Sequence, residues 1–265
     1  MLKAIYTYPV KSLGGIALKE AQLGPRGIFM DRRWILTDLH GNMLTQRSHP
    51  TMALFKTDFA SNGILVFPPD AEDEDDHILL PFDMHEDETA KIDVFGTQGK
   101  AHALGQAYDL WFSFHLDSPC RIWFMPDDSD RMLESSYTSY QGPMSFADGW
   151  PLLVLSEASL VSLNDRMAEP VPMDRFRPNL VVDGDFPFQE DSWKRIQIGD
   201  AVIEGGKPCG RCAIVTVDQK TGIKGKEPLE TLAGWRRKEN SVIFGWNMFS
   251  REGGKIAVGD QVVEL

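Results

Sequence analysis

The stretch GGKPCGRCAIVTVDQKTG, residues 205–222, is the most informative part of this sequence. It places Cys209 and Cys212 in a Cys-x-x-Cys spacing, which occurs in zinc sites, in thioredoxin-like dithiols and in pairs of small buried residues. A zinc site needs two more thiolate or imidazole ligands. The other cysteine is Cys120, and the six histidines all precede the pair without ligand spacing, so the zinc interpretation loses weight.

The residues around the two cysteines favour chemistry of a different kind. A thioredoxin-like pair opens a helix after a strand, whereas the sequence AIVTV from Ala213 to Val217 predicts a strand directly after the pair. Lys207 and Arg211 flank the cysteines in a glycine-rich segment that predicts a loop. Nearby cations favour the thiolate, which is the form that binds soft metals. From the residues alone, metal or redox chemistry and a structural pair remain equal alternatives.

Composition limits the class of protein and its partners. The 265 residues are 42% hydrophobic, enough to bury a core, and this length predicts two compact units. A net charge of −12 argues against nucleic acid as a partner, because binding its phosphates requires clustered Lys and Arg. Much of the acidity lies in residues 72–76 and 86–88, which we expect to form solvated loops.

No targeting or membrane-spanning segment is expected. The N-terminus, MLKAIYTYPVKSLGG, lacks the apolar stretch of about 7–15 residues that a secretory signal needs. No apolar run approaches the roughly 20 residues required to cross a bilayer. Three cysteines do not suggest a disulfide framework. We therefore expect a cytoplasmic protein.

Short runs rich in β-branched residues and bounded by Gly, Pro and Asp dominate both ends of the chain, a pattern typical of barrels or sandwiches. Two similar segments, IQIGDAVIE from Ile196 and IAVGDQVVE from Ile256, each predict a tight Gly-Asp turn between two strands, and we expect the last strand to close a barrel. The predicted strands are Ala4 to Tyr8, Trp34 to Thr37, Ile64 to Phe67, Leu180 to Val182, Ile196 to Ile198, Val202 to Glu204 and Ala213 to Val217.

Few helices are expected. Residues 105–116 place Ala107, Leu110, Trp111 and Phe114 at helical spacing, which predicts one apolar stripe. Ser156 is a good N-cap for a helix over residues 157–167. Glu227-Pro228 opens a third helix that continues to Trp235, because proline is tolerated in the first turn. The chain is therefore predicted to be a mainly β protein of the α+β class.

Several motifs in matching order resemble one known family. In the C-terminal half they are FRPNLVVDG from Phe176, EDSW, IGD, CGRCAIVTVDQKTG, KEPLETLAGWR and FGWN; in the N-terminal half they are YPVKSLGG, GIFMDRRWILTD and GNMLTQR. Together they resemble the MOSC domain proteins typified by the mitochondrial amidoxime reducing component and its bacterial relatives. The resemblance implies two β-barrel-like domains with few short helices: an N-terminal β-barrel-like domain at 1–125 and a C-terminal MOSC β-barrel at 126–265.

The resemblance also implies a molybdenum cofactor and the residues that bind it. Cys212 matches the position that supplies the protein thiolate to the metal, which leaves a supporting or structural role for Cys209. Positions that hold the anionic pterin and its phosphate are matched by Lys11, Ser12, Arg32, Arg177, Gly210 and Arg211. The charges agree with this assignment, because anionic groups need Arg, Lys and backbone N–H donors.

The implied activity is reduction of N-hydroxylated compounds such as amidoximes, hydroxylamines and N-hydroxylated bases, with the oxygen leaving as water. The sequence has no cysteine after Cys212, so no iron–sulfur cluster is expected in this chain, and pyridoxal phosphate is not implied. Electrons are expected from a separate donor of the flavoprotein or ferredoxin type. Two alternatives remain: a non-catalytic carrier of the molybdenum cofactor or of sulfur, and a cofactor-free β-barrel interaction module.

Four further residues have open roles at this stage. Asn179 is expected either to hydrogen-bond near the site or to cap a strand, and Asp148 either to orient a cofactor-binding group or to end a turn. Trp150 stands where relatives carry a small polar residue, a difference that would reshape the pocket. His49 is expected at the surface or in packing rather than in proton transfer.

Overall fold

The computed structural model describes residues 1–71, 73, 76–83, 87–133 and 135–265. The expected acidic loops fall partly on residues 72, 74, 75 and 86, which lie outside the described residues. Within the described part, the chain forms many strands and three α-helices. The mainly β fold class with few short helices is therefore confirmed.

Most strands are short, as expected for segments bounded by Gly, Pro and Asp, but β15 and β17 have 11 and 12 residues. Their bounds are β1 Leu2–Thr7, β2 Ile16–Leu18, β3 Glu20–Gly24, β4 Gly27–Ile28, β5 Trp34–Thr37, β6 Lys56–Ala60, β7 Gly63–Phe67, β8 Ile78–Pro81, β9 Thr89–Val94, β10 Thr97–Ala103, β11 Arg121–Phe124, β12 Leu152–Ser156, β13 Leu180–Val182, β14 Arg195–Ile198, β15 Ala201–Arg211, β16 Arg237–Lys238, β17 Ser241–Glu252, β18 Gly254–Ala257 and β19 Val262–Glu264. The α-helices are α1 Gln106–His115, α2 Glu157–Asn164 and α3 Leu229–Trp235, and 3₁₀ turns cover Pro50–Leu54, Met173–Phe176, Gln189–Ser192 and Ala213–Thr216.

The largest sheet has the strand order β19-β14-β15-β17-β12-β13-β1-β2, with β16 paired to β17. Neighbouring strands within this sheet are antiparallel, except for β12 and β13, which are parallel. The sheet curls so that its distant strands approach each other: the Leu2 N–H donates to the Asp260 carbonyl at 2.8 Å, and the Gly259 N–H donates to the Leu2 carbonyl at 2.8 Å. Closure thus runs through the turn before β19, whereas β19 itself pairs with β14 at one end of the order.

Strands from both sides of residue 125 share this sheet. β1 pairs with β13, and Leu2 and Ile5 are buried in the same apolar cluster as Ile196 and Met248. A second cluster, around Trp34 and the other buried side chains of the N-terminal half, packs between the sheet β5-β11-β10-β9 and the sheet β6-β7-β8. The division of the chain at residue 125 stays a prediction.

The three predicted helices are confirmed. Ser156 caps α2, because its Oγ accepts a hydrogen bond from the Ser159 N–H at 3.1 Å. The predicted apolar stripe of α1 is wrong: Leu110 and Phe114 are exposed, and Phe112 is the fully buried residue. The helix is rotated from the expected face because Phe112 packs beside Phe55 in the N-terminal core.

The internal similarity predicted two tight turns and is confirmed at the first of them. Ile196 to Glu204 forms the antiparallel hairpin of β14 and β15. At the second, Gly259-Asp260 also joins two strands, but β18 pairs with β3 and β19 pairs with β14. The same local pattern therefore gives a hairpin in one place and a crossing between two sheets in the other.

Two local predictions around the cysteines are wrong. Residues 205–211 are not a loop but the end of β15, paired with β17 through register irregularities at Gly205/Lys207 and Pro208/Gly210. Ala213–Thr216 is a 3₁₀ turn rather than a strand. The Thr216 hydroxyl donates to the Ala213 carbonyl at 2.8 Å, a local hydrogen bond that competes with strand pairing.

Candidate functional site

A cavity of about 670 Å³ lies where the segment after β1, the end of β15 and the 3₁₀ turn Met173–Phe176 come together. All the residues that the sequence assigned to the site line this one cavity: Lys11, Ser12, Arg32, Arg177, Gly210, Arg211 and Cys212. The chain brings them there from four separate segments. Their roles in binding stay predictions, but their convergence is a property of the fold.

The cysteine segment forms one wall of the cavity. Cys212 follows the last residue of β15 and is exposed, whereas Cys209 is half-buried. Burial raises the pKa of the Cys209 thiol, and the nearby Arg211 guanidinium only partly opposes this. The strand irregularity at Pro208/Gly210 interrupts regular pairing with β17 beside Cys209. Cys212 is thus the accessible thiol of the pair.

Arg32 is held by a buried polar network. Its Nη1 donates to the Asp31 carboxylate at 2.5 Å and to the Asn179 side-chain oxygen at 3.1 Å. Asp31 also accepts hydrogen bonds from the Tyr8 backbone N–H and from the Asn179 amide. Burial opposes the charge on Arg32, but the Asp31 carboxylate outweighs it and raises the pKa of the guanidinium. Arg32 is therefore a fixed cation, and Asn179 orients it.

Tyr8 separates two guanidinium groups at the base of the site. The Arg177 guanidinium lies 4.2 Å from the Tyr8 ring centroid and the Arg32 guanidinium 4.7 Å. The Tyr8 hydroxyl donates to the Pro178 carbonyl at 3.1 Å, and burial raises the pKa of Tyr8 well above its ordinary value. A neutral aromatic ring between two cations offsets part of their repulsion.

Three arginines that line the cavity have buried side-chain N–H groups without a hydrogen-bond partner. The unpartnered atoms are Nη2 of Arg177, Nη2 of Arg211 and Nε of Arg175. Two of these guanidinium groups are anchored elsewhere: Arg211 donates to the Phe244 and Phe176 carbonyls, and Arg175 bonds the Asp218 carboxylate at 2.5 Å. A buried donor without a partner is costly. The donor set therefore fits an anionic group that completes these hydrogen bonds.

Backbone strain is concentrated around the same cavity. Ser12, Arg32 and Arg177 all adopt positive φ angles, of 71°, 51° and 51°. Non-glycine residues reach this left-handed region at a cost of about 1–2 kcal/mol each. Glu239, with φ of 52°, also lines the cavity. Local stability does not favour these conformations, so the surrounding structure must impose them.

Lys11 and Asp148 form an ion pair at the cavity wall. The buried Lys11 ammonium donates to the Asp148 carboxylate and, at 2.8 Å, to the Phe146 carbonyl. Burial opposes ionisation of Asp148, but Lys11 outweighs it and lowers the pKa of the carboxyl group. Burial also lowers the pKa of Lys11, and Asp148 opposes that change. The ion pair fixes the direction of the Lys11 ammonium, and the expected role of Asp148 in orienting a cofactor-binding group stays a prediction.

Arg47 approaches the exposed cysteine from the N-terminal half. Its Nη1 lies 3.6 Å from Cys212 Sγ, and its guanidinium lies 4.8 Å from the Phe95 ring centroid. Gln46, the preceding residue, is fully buried; its amide donates to the Ser12 carbonyl at 2.8 Å and pairs with the Gln219 amide. These contacts join the segment before Pro50 to the segment after Cys212.

Trp150 shapes the cavity by filling space. Its ring is buried, lines the cavity and lies so close to Gly206 that a Cβ there would be 2.1 Å from the ring. Glycine at position 206 is therefore required by the tryptophan. His49, by contrast, is not among the lining residues, and its Nδ1 lies 3.0 Å from the Ser48 hydroxyl.

Sequence reasoning missed several residues of the site. Arg175 directly precedes the matched motif FRPNLVVDG, and its charge two positions before Arg177 was the available signal. Arg47 entered the sequence analysis only as the last residue of the motif GNMLTQR. Tyr8 and Asp31 lie in the quoted motifs YPVKSLGG and GIFMDRRWILTD, but the hydrogen bond that joins them spans 23 positions and cannot be seen in the sequence.

Comparison with known proteins agrees with this architecture. The MOSC domain family matches residues 141–263, and the MOSC N-terminal beta barrel domain family matches residues 1–119. The human mitochondrial amidoxime-reducing component 1 is 32% identical over 98% of this chain and 82% of its own length. The rat mitochondrial amidoxime reducing component 2 is 31% identical over 98% of this chain and 82% of its own length. A rice molybdenum cofactor sulfurase is 32% identical over 92% of this chain, which spans 32% of that protein.

The fold and the site define a mainly β protein in which curled sheets enclose a cationic cavity with an accessible cysteine in its wall. The chain belongs to the MOSC family, in the group that carries the MOSC N-terminal barrel and includes the mitochondrial amidoxime reducing components. Among the described residues, no helix is both long enough and apolar enough to cross a bilayer.

Proposed function

We propose that this protein binds a molybdenum cofactor in the cavity and reduces N-hydroxylated compounds such as amidoximes and hydroxylamines. The observation that carries the proposal is the set of buried, unpartnered N–H groups on three arginines beside an exposed cysteine. A cavity lined by more cations than carboxylates is suited to a ligand that brings negative charge. The pterin phosphate and dithiolene of a molybdenum cofactor are such groups.

The residues divide into two groups by the charge they offer. Cys212 would supply the protein thiolate to molybdenum, because it is the accessible thiol and thiolates are suited to soft metals. Arg177 and Arg211 would complete their hydrogen bonds on the phosphate and pterin. The remaining contacts would come from Lys11, Ser12, Arg32 and Gly210, and Arg175 joins this group through its free Nε.

When bound, the cofactor supplies two-electron redox chemistry at the metal. An amidoxime R–C(NH₂)=N–OH takes up two electrons and two protons, its N–O bond breaks, and the products are the amidine R–C(NH₂)=NH and water. The electrons come from a separate donor of the flavoprotein or ferredoxin type, since the three cysteines of this sequence are too few for a four-cysteine iron–sulfur cluster.

The protein contributes orientation and charge. Asp31 and Asn179 fix the direction of Arg32, and Asp148 fixes Lys11, so these cations need no rearrangement when an anion binds. The Gln46–Gln219 amide pair holds the segment that bears Arg47 against the segment that follows Cys212. The site is thus built from both halves of the chain and is open on the side of Cys212.

The test compares wild type, Cys212→Ser and Cys209→Ser purified from cells with abundant cofactor. We expect about one molybdenum per wild-type chain and reduction of benzamidoxime with a chemical reductant. Cys212→Ser should lose reduction, whereas Cys209→Ser should retain most of it, because Cys209 is the less accessible thiol. Metal content is measured by mass spectrometry and amidine formation by chromatography.

Other outcomes would decide for the alternatives. Bound molybdenum without turnover in the wild type would indicate a carrier of the cofactor. Absence of molybdenum in the wild type would refute both the reductase and the carrier function, and would leave a β-barrel interaction module with a structural cysteine pair. Loss of activity in Cys209→Ser but not in Cys212→Ser would overturn the assignment of the thiolate.

A further inference from the structure

Phe95 is an exposed aromatic residue in a turn whose backbone conformation disfavours an aromatic side chain. It is 54% exposed and occupies, with Gly96, the two-residue connection between β9 and β10, whose ends pair as Val94↔Thr97. Both connecting residues have positive φ, 54° and 86°. Two-residue hairpin turns with positive φ at both positions favour Asn-Gly or Asp-Gly. An aromatic side chain at this position is strained and leaves apolar surface in water.

Phe95 is connected to the reactive cysteine through Arg47. The Arg47 guanidinium lies 4.8 Å from the Phe95 ring centroid, and its Nη1 lies 3.6 Å from Cys212 Sγ. In the described part of the chain, Arg47 forms no ion pair within 4.0 Å of a carboxylate. Its remaining N–H groups are therefore available to a ligand beside the sulfur.

We propose that Phe95 and Arg47 form the substrate-recognition wall of the site and select aromatic N-hydroxylated compounds over aliphatic ones. Neither residue is part of the cavity lining: Arg47 lies beside the lining residue Cys212, and Phe95 lies against Arg47. The proposal rests on the proposed reductase function and names the residues that choose its substrate. The exposed surface of Phe95 packs against the planar ring of the substrate. Arg47 donates a hydrogen bond to the N–O oxygen, which places the reducible group on the Cys212 side.

This arrangement explains the strained turn. Strain at a turn is retained where the side chain has a use other than stability. The contact between the Arg47 guanidinium and the Phe95 ring holds both side chains in place before substrate binds, because each restricts the motion of the other. The planar ring of an aromatic substrate gains more binding energy from contact with the Phe95 ring than the methyl group of an aliphatic substrate does. The wall therefore discriminates by the shape of the substrate as well as by its polarity.

The first experiment measures binding and turnover separately. Benzamidoxime and acetamidoxime, which share the reducible group, are titrated by calorimetry into oxidised, molybdenum-loaded protein without reductant, and their kcat and KM are then measured with reductant. Phe95→Ala should lower the preference for benzamidoxime roughly threefold to tenfold, mostly through Kd and KM. Phe114→Ala, at an exposed phenylalanine of α1 whose ring contacts His115 rather than Arg47, is the matched control and should keep the preference.

A second variant separates recognition from folding. Phe95→Asn places the favoured residue in the turn, so Tm should rise, by roughly 2–4 °C, while the preference for benzamidoxime falls as in Phe95→Ala. A residue retained only for packing would instead lower Tm when replaced. Molybdenum content should be unchanged in both variants, which shows that the cofactor site is intact.

Arg47→Gln tests the hydrogen bond. It should weaken binding of both substrates about tenfold, because both carry the N–O oxygen. Arg251→Gln, at an exposed arginine, is its control. The proposal is overturned if Phe95→Ala leaves the ratio of the two dissociation constants unchanged, or if the wild type does not prefer benzamidoxime. If the wild type binds benzamidoxime preferentially but does not reduce it, the reductase function fails and the recognition wall stands.

Discussion

Replacing Arg177 by methionine should stabilise the cofactor-free protein and weaken its binding of anions. Arg177 is buried, its Nη2 has no partner, and burial lowers the pKa of its guanidinium to about 10. The ordinary value is above about 12. At neutral pH the guanidinium is charged in both the folded and the unfolded protein, so the cost of burying the charge is fully present in the fold.

The magnitude follows from these contacts. A pKa near 10 corresponds to a cost of about 3 kcal/mol for the buried charge. Methionine removes this cost and also the cation–π contact with Tyr8, which contributes about 1 kcal/mol. The net stabilisation is about 2 kcal/mol, and for a chain of this size it should raise Tm by roughly 4–8 °C.

The assay is thermal unfolding of protein from cells that cannot make the cofactor, with and without inorganic phosphate. Phosphate should raise the Tm of the wild type more than that of Arg177→Met, because an anion that binds only the folded state stabilises it. Arg251→Met, which replaces an exposed arginine, is the matched control and should change Tm little. A Tm for Arg177→Met below that of the wild type would refute the reasoning, since it would show that the guanidinium is satisfied without a ligand.

Two further predictions concern the contacts that assemble the site. In the first, Asp148→Asn should remove a part of the folding stability that is lost in acid. Folding lowers the pKa of Asp148, so its ionised carboxylate stabilises the folded protein above the ordinary pKa of the group. This contribution is lost as the pH falls through the lower pKa of the folded protein. The difference in Tm between wild type and Asp148→Asn should therefore be largest near neutral pH and shrink below about pH 4; a difference that does not vary with pH would contradict this. In the second, Gln46→Met should cost about 1–3 kcal/mol in urea unfolding, because it leaves the buried Ser12 carbonyl and the Gln219 amide without their partner. Gln219→Met should lower the free energy of unfolding less in the Gln46→Met background than in the wild type. If the two losses of stability simply add, the two amides are not coupled.

The strands and helices were predictable where a local rule is sufficient. Ser156 caps α2 through a hydrogen bond to a residue three positions away, and the hairpin at Gly199-Asp200 pairs neighbouring segments. Such contacts depend on a few adjacent residues, so the sequence pattern determines them. The strand predicted for AIVTV, residues 213–217, was wrong. Its β-branched residues favour a strand, but its position after β15 and the Thr216 hydroxyl favour a 3₁₀ turn.

The sequence by itself determined the fold class, the family and four of the cationic residues that line the cavity with Cys212, because these are carried by short motifs in a fixed order. Only the tertiary structure decided how those cations are balanced. Tyr8 lies between two guanidinium groups, and Arg47 reaches Cys212 across 165 positions of sequence. The energy of a charge depends on its burial and on its partners, and both come from residues distant in the chain. The unpartnered arginine N–H groups, which carry the proposed function, are therefore visible only in the fold.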